Sequence, residues 1–205
     1  MIRSSFPRRQ QYRRLRRAAA SGAAGLATGA CAVGAASVAL EVAGVLLLVT
    51  SGLLIDARRS LRLAARSRIG ARSEDDVRRA LAALEREGWR LRHSLIYRGR
   101  GDIDSVAIAP TGIAFAIETK TKTKTFDARH LAGVQEMAAW LYRRRRRWCH
   151  RGALPILCVV RARGVERVQD GVLVVSADRL VPSLRAAAGT SQRPAFLAAD
   201  TATRT

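Results

Sequence analysis

Residues 101–120, GDIDSVAIAPTGIAFAIETK, decide the fold of this chain. Two β-rich runs, Ile103–Ala109 and Ile113–Lys120, flank Pro110-Thr111-Gly112, a turn tripeptide, so the stretch reads as a β-hairpin. Folding the chain at Thr111 sets Asp104 opposite Glu118, because the two are equally distant from it; a bulge at Gly112 would shift this by one. Directly opposed residues of an antiparallel pair share a face and approach within about 5.5 Å at Cα. Glu118 and Lys120, two apart on one strand, point the same way. Two carboxylates and one ammonium therefore converge on one side of a sheet. Carboxylates that close repel, and one is driven toward protonation unless a cation lies between them. A divalent ion is the natural answer, and oxygen ligands with a phosphate substrate favour Mg2+ or Mn2+. Held by Asp104, Glu118 and a backbone carbonyl near Thr119, such an ion would acidify a bound water and stabilise charge on a phosphate. Lys120 would orient that water or neutralise the developing charge. Glu-x-Lys alone is very common and reads as a weak surface salt bridge from Glu118 to Lys120 or Lys122; Asp104 in register across the turn, inside the right element order, favours chemistry.

The lysines support the same stretch. The chain has 37 basic residues, and Lys120, Lys122 and Lys124 are its only lysines. Elsewhere the charge is arginine, a permanently charged planar fork, whereas ammonium is a compact point charge suited to a metal-bound water.

Working outward, SEDDVRRALAALEREGW opens with a helix-capping Ser73 and acids in the first turn, carries Val77, Leu81 and Leu84 at helical spacing, and stops at Gly88. LRHSLIYR reads as a strand. Asp127 caps a long helix through about Arg147; PILCVV is a buried strand, GVLVV a short one, and a last helix runs from about Asp178 to Ala188, with Pro182 tolerable only in its first turn. The order α-β-β-β-α-β, then β-α, predicts a mixed α/β sheet flanked by helices. No GxxxxGK[ST] or GxGxxG follows a strand, which disfavours an NTPase or dinucleotide enzyme.

The N-terminal third is of another kind. From Ala18 to Ile55 the only charge is Glu41. One membrane span needs roughly 20 residues, so this segment is too long for one and slightly short for two generous ones. Arg13, Arg14, Arg16 and Arg17 precede it, and Arg58, Arg59 and Arg62 follow. Basic flanks on both sides place both in the cytoplasm, which requires an even number of crossings and favours a helical hairpin. A single span centred on VAGVLLLVTSGLLI would draw Glu41 toward hydrocarbon, at roughly 2.5–3.5 kcal/mol. Gly25 and Gly29 have the spacing that lets helices approach closely. A single-span anchor and an export signal are the rival readings. The expected division is a basic N-terminus 1–17, a transmembrane segment 18–55, an Arg-rich connector 56–72, a catalytic domain 73–188 and a disordered tail 189–205. The expected address is the inner membrane of a bacterium, with the domain facing the cytoplasm.

A net charge of +21 and a pI near 11.7 suit a polyanion, either DNA or RNA, or an anionic membrane lipid surface. Lys122, Lys124 and the unbroken run Arg143, Arg144, Arg145, Arg146 and Arg147 are the candidate nucleic-acid contacts, with Trp148 placed to stack on a base. The run also suits a helix C-terminus or anionic lipid. Cys31, Cys149 and Cys158 make neither a metal pair nor a disulfide framework; Cys31 and Cys158 read as buried small residues.

GDIDSVAIAPTGIAFAIETK resembles the core of the NERD (nuclease-related) domain, within the PD-(D/E)xK nuclease superfamily. Shared are a Gly, an Ile-Asp pair, an apolar strand, a Gly-turn and an apolar strand ending in Glu-x-Lys. The resemblance covers roughly Ser73 to Ala188. It implies an αβββαβ metal-dependent nuclease core with Asp104, Glu118 and Lys120 as the catalytic set. Carried over with it are a first-helix acid, matched by Glu74, and a Gln on the helix after Glu-x-Lys, matched by Gln135. Glu74 is equally a complement to the helix dipole, and Gln135 an ordinary exposed residue. The chain departs from the family pattern at Ser105, where His is usual, and at Ser73, where Gly is frequent. The expected function is membrane-anchored phosphodiester hydrolysis; the alternative is a catalytically inactive nucleic-acid-binding module on the same fold.

Overall fold

A computed structural model of the chain describes residues 6–37, 39–98, 101–121 and 127–189. The chain divides into two compact units, one of Phe6–Ala71 and one beginning at Arg72.

The first unit holds helix α1 (Phe6–Ala35) and the first part of α2 (Leu40–Leu81). The two pack antiparallel. Thr28 Oγ1 and Thr50 Oγ1 lie 2.9 Å apart, Ser21 Oγ donates to Asp56 Oδ2 at 2.9 Å, and Arg14 reaches the Leu63 carbonyl at 2.9 Å. Their seam is made of small residues: Ala18, Gly25, Ala32, Ala43, Ala57, Ser60 and Ala64 are buried. A Cβ on Gly25 would come within 3.3 Å of Leu54, so glycine there favours the close approach, whereas one on Gly29 would meet Thr50 at 3.4 Å, an ordinary contact. Apolar side chains point out instead: Leu26, Leu40, Leu48 and Ile55 are 72%, 80%, 76% and 68% exposed. Both helices contain a stretch long and apolar enough to cross a membrane, by length and composition. Glu41 falls in the first turn of α2, where the helix dipole favours an acid. Cys31, expected to be buried, is exposed, because the small seam residues take the inside and push it outward.

The second unit begins inside α2. Ser73 does not open a helix; α2 continues through it, because residues 56–72 contain no proline and mostly good helix formers, so nothing interrupts the backbone ladder. A 3-10 segment, Ala82–Glu87, ends at Gly88 in the left-handed region (φ 80°). Strands β1 (Arg90–Tyr97), β2 (Gly101–Ile108) and β3 (Ile113–Lys120) form an antiparallel meander. Helix α3 (Ala128–Arg144) then crosses to β4 (Gly152–Val159), parallel to β3. Strands β5 (Glu166–Gln169) and β6 (Val172–Ser176) and helix α4 (Ala177–Gly189) complete the unit. The six-stranded order is β1-β2-β3-β4-β6-β5. This is the mixed α/β sheet flanked by helices that the pattern implies.

Strand β5 was not expected. Its four residues are too few and too polar for a clear alternation, but Asp170-Gly171, with φ of 47° and 67°, forms the two-residue turn joining it to β6. Helix α3 stops at Arg144, short of Arg147, because Trp148 and Cys149 turn back to pack against the sheet. Pro182 lies beyond the first turn of α4, on its exposed side.

Each face of the sheet is covered. Val77, Leu81, Leu84, Leu180 and Leu184 pack with Phe115, Ile117, Ile156 and Val175 on one side, where Trp89 stacks on Phe115 at 5.7 Å. Helix α3 covers the other through Leu131, Val134, Ala138 and Leu141. Alternation along β3 sends Ile113, Phe115 and Ile117 to the first cluster and the small Ala114 and Ala116 to the second. The polar Glu118-Thr119-Lys120 closes the strand.

Candidate functional site

The β2–β3 turn is built tightly. Gly112 adopts φ 83°, and a Cβ there would collide with the His150 ring, so glycine is required on both counts. The rungs run from Ile108↔Ala114 to Ser105↔Ile117, the register of a turn centred on Thr111, with no shift at Gly112. One step past the last rung stand Asp104 and Glu118. There the Thr119 N–H donates to Asp104 Oδ2 at 2.8 Å, and Lys120 Nζ donates to Glu118 Oε1 at 2.8 Å. Glu74, buried on α2, joins them: its charge acts on both Asp104 and Lys120.

The electrostatics follow from this crowding. Burial, then Glu118 and Glu74, raises the Asp104 carboxyl well above the usual range; the Thr119 N–H and Lys120 offset only part of this. Burial works to lower the Lys120 pKa, but Glu118, with Asp104 and Glu74 behind it, outweighs burial and holds the ammonium above its ordinary value. Asp104 and Glu118 lie beside the Lys120 ammonium, and the charge of Glu74, countered by Arg78 at 3.6 Å, acts on them; acid still exceeds base here, the condition a divalent cation relieves. The donors are hard oxygens, which fits Mg2+ or Mn2+. Among the described residues no three His, Cys, Asp or Glu side chains are grouped as a ready metal cage. Mg2+ commonly uses one or two carboxylates and keeps several waters, so Asp104 and Glu118 meet that requirement.

Next to the carboxylates lies a polar group that sequence reasoning missed. Arg78 Nη2 donates to Ser94 Oγ at 2.8 Å and lies 3.6 Å from Glu74 Oε2. His93 Nδ1 and Ser105 Oγ are 2.9 Å apart. Burial, then Arg78, pushes the His93 pKa down to about 4, so this imidazole is neutral at ordinary pH. Ser94 sits at φ 51°, rare for a non-glycine residue. The β1–β2 ladder passes from His93↔Ser105 to Leu95↔Ile103 with no rung between Ser94 and Asp104. The i,i+4 spacing of Glu74 and Arg78 was a legible signal; nothing in the sequence marks Ser94 as left-handed.

Other expected site residues lie elsewhere. The Gln135 amide donates to the Asp170 carbonyl in the β5–β6 turn, so its recorded partner is main chain and not a carboxylate. Arg143, Arg144, Arg145, Arg146 and Arg147 are all exposed. Arg145 lies over the Trp148 ring at 5.1 Å and Arg92 of β1 at 6.0 Å, while Arg146 lies over Tyr142 at 5.2 Å. Trp148 is thus half-buried and engaged with guanidinium groups. Lys122 and Lys124 lie outside the described residues.

Residues 69–150 match the family model of NERD, the nuclease-related domain, which is generally assigned to the PD-(D/E)xK superfamily. The resemblance drawn from residues 101–120 is borne out over that stretch; β4, β5, β6 and α4 lie beyond it. No curated protein and no solved structure is similar enough to the chain to count as a match. The family match points to a nuclease-like function with nucleic acid as substrate or partner, in a superfamily that usually uses divalent metals.

Proposed function

We propose that the nuclease-related region is a metal-dependent phosphodiesterase acting on DNA or RNA, tethered to a membrane by the α1–α2 hairpin. The observation that carries the reading is the gathering of Asp104, Glu118 and Lys120 at the open end of β2 and β3, with Glu74 brought to them from α2. Asp104 and Glu118 are the residues that would hold Mg2+ or Mn2+. The Thr119 N–H fixes one Asp104 oxygen and leaves the other for that role. When bound, the ion supplies a more acidic water and neutralises phosphate charge. Lys120 stays protonated among its carboxylates, so it donates: it orients the attacking water or meets charge on the phosphate, and it does not act as a base. Glu74 is the third carboxylate and Gln135 a more remote candidate.

The exposed Arg143–Arg147 run, joined by Arg92 across Trp148, supplies a sequence-independent track for a phosphate backbone, with Lys122 and Lys124 as further contacts. The apolar outer face of the hairpin and its arginine flanks support insertion beside anionic lipid, both ends on the cytoplasmic side of a bacterial inner membrane. Protease protection of the C-terminal unit in spheroplasts tests that orientation, and digestion without lysis would contradict it.

Detergent-solubilised protein incubated with plasmid, single-stranded DNA and RNA, with and without Mg2+, tests the activity. Mg2+-dependent cleavage by wild type, lost in Glu118→Ala with binding retained, is the expected result. Equal cleavage by both proteins removes the catalytic assignment; binding without cleavage by wild type selects the inactive nucleic-acid module.

A further inference from the structure

Glu74, buried, and Asp104, half-buried, are acids from distant parts of the chain, and two like charges do not stay together unaided. The counter-charge on the Glu74 side is Arg78, one helical turn on, with its side chain only 16% exposed. Its Nε is buried with no hydrogen-bond partner among the described residues; Nη2 donates to Ser94 and pairs with Glu74 by charge at 3.6 Å, while Nη1 lies 3.9 Å from Asp75. Leaving a buried N–H unsatisfied is costly, and the fold tolerates this at a residue whose charge sits beside the acids. The brace is Ser94. Its hydroxyl accepts from Arg78, and its left-handed backbone coincides with the missing rung opposite Asp104. Backbone strain of this kind persists only where surrounding contacts over-determine it. Here the contact runs from α2, which carries Glu74, to β1, which pairs with the strand of Asp104.

We propose that Arg78 is the positioning residue of the carboxylate site: braced on the Ser94 hydroxyl, its guanidinium holds Glu74 against Asp104 and keeps β1 open where Asp104 needs room. This rests on the metal-site reading above. Lysine in place of Arg78 keeps the charge but not the rigid pair of nitrogens by which Nη2 meets Ser94 and Glu74 while Nη1 faces Asp75 at 3.9 Å. Alanine in place of Ser94 removes the brace and leaves every charge unchanged.

Calorimetric titration of Mn2+ into the full-length protein in detergent micelles tests it, alongside the melting temperature of the metal-free protein. Arg78→Lys and Ser94→Ala are each expected to weaken Mn2+ binding about tenfold, the size typical of residues that orient metal ligands, while the metal-free protein stays folded with a modestly lowered melting temperature. The double variant is expected to be no weaker than the worse single one, because both break one contact. Arg79→Lys, on the same helix but paired with Asp76, is expected to bind as wild type. Wild-type affinity in Ser94→Ala and in folded Arg78→Lys, or additive losses in the double variant, overturns the role of Arg78 alone. A wild type that takes up no Mn2+ overturns it together with the metal site.

Discussion

The two units of this chain put their apolar residues in opposite places. In the hairpin the inside is Ala, Gly, Ser and Thr, and the outside carries Leu26, Leu40, Leu48 and Ile55. In the sheet unit the inside is Phe115, Ile117, Leu157 and Val174, and arginines cover the outside. Water drives apolar groups inward, whereas lipid gives no such drive, and helices there associate through close packing and a few hydrogen bonds. The difference is the one expected if the hairpin faces lipid and the sheet unit faces water, and it supports the proposed anchor. It also isolates buried Glu74 and half-buried Asp104 and Glu118 as the place where the sheet unit breaks its own rule and draws charge inward.

Truncating the sheet core is expected to have the largest effect. Phe115→Ala should cost about 3–5 kcal/mol, read as a lowered melting temperature by tryptophan fluorescence, since Trp89 stacks on that ring. An unchanged melting curve would contradict the assigned core. Leu48→Asp on the outer hairpin face should cost roughly 2.5–3.5 kcal/mol of insertion and shift the protein out of the membrane fraction. The same change at Val168, a partly exposed residue of β5, should leave fractionation as it is. If both variants fractionate alike, the inversion between the units does not reflect lipid.

A smaller effect is expected from pH. The folded protein keeps the Asp104 proton to higher pH than the unfolded chain does. Metal-free stability is therefore full below the ordinary Asp range and falls as pH climbs through the raised pKa. Asp104→Asn should flatten that fall, and Mn2+ should bind wild type more tightly as pH rises through the same range. A melting temperature that instead climbs over this range would show Asp104 to be stabilised as an anion. Smallest of all, Thr50→Val removes the contact with Thr28 and should weaken the hairpin by about 0.6 kcal/mol. A loss several times larger, seen in detergent unfolding, would mean that the seam depends on hydrogen bonding more than on close packing.

Much of the fold was legible because its signals are local. The turn at Pro110-Thr111-Gly112, the alternation of β3 and the stop at Gly88 are set by residues within a few positions of one another. Signals that needed a long view were misread. Ser73 has the chemistry of a cap, yet nothing upstream ends the helix it was meant to begin. Cys31 sits in an apolar run, yet burial in the hairpin goes to small residues. In the site, the pairing of Asp104 with the Glu118 strand followed from counting. Arg78 and Ser94 did not, since one needs a helix placed against β1 and the other an unusual φ.

By itself the amino-acid order determined the strand-turn-strand, its register, and the shared face of Glu118 and Lys120, because hairpin geometry depends only on spacing about a turn. Only the tertiary structure decided that Glu74 joins Asp104, that Arg78 stands behind it, and that β1 opens at Ser94. Those relations connect α2 to a sheet many residues away. They are set by how buried charges find partners once the core has closed.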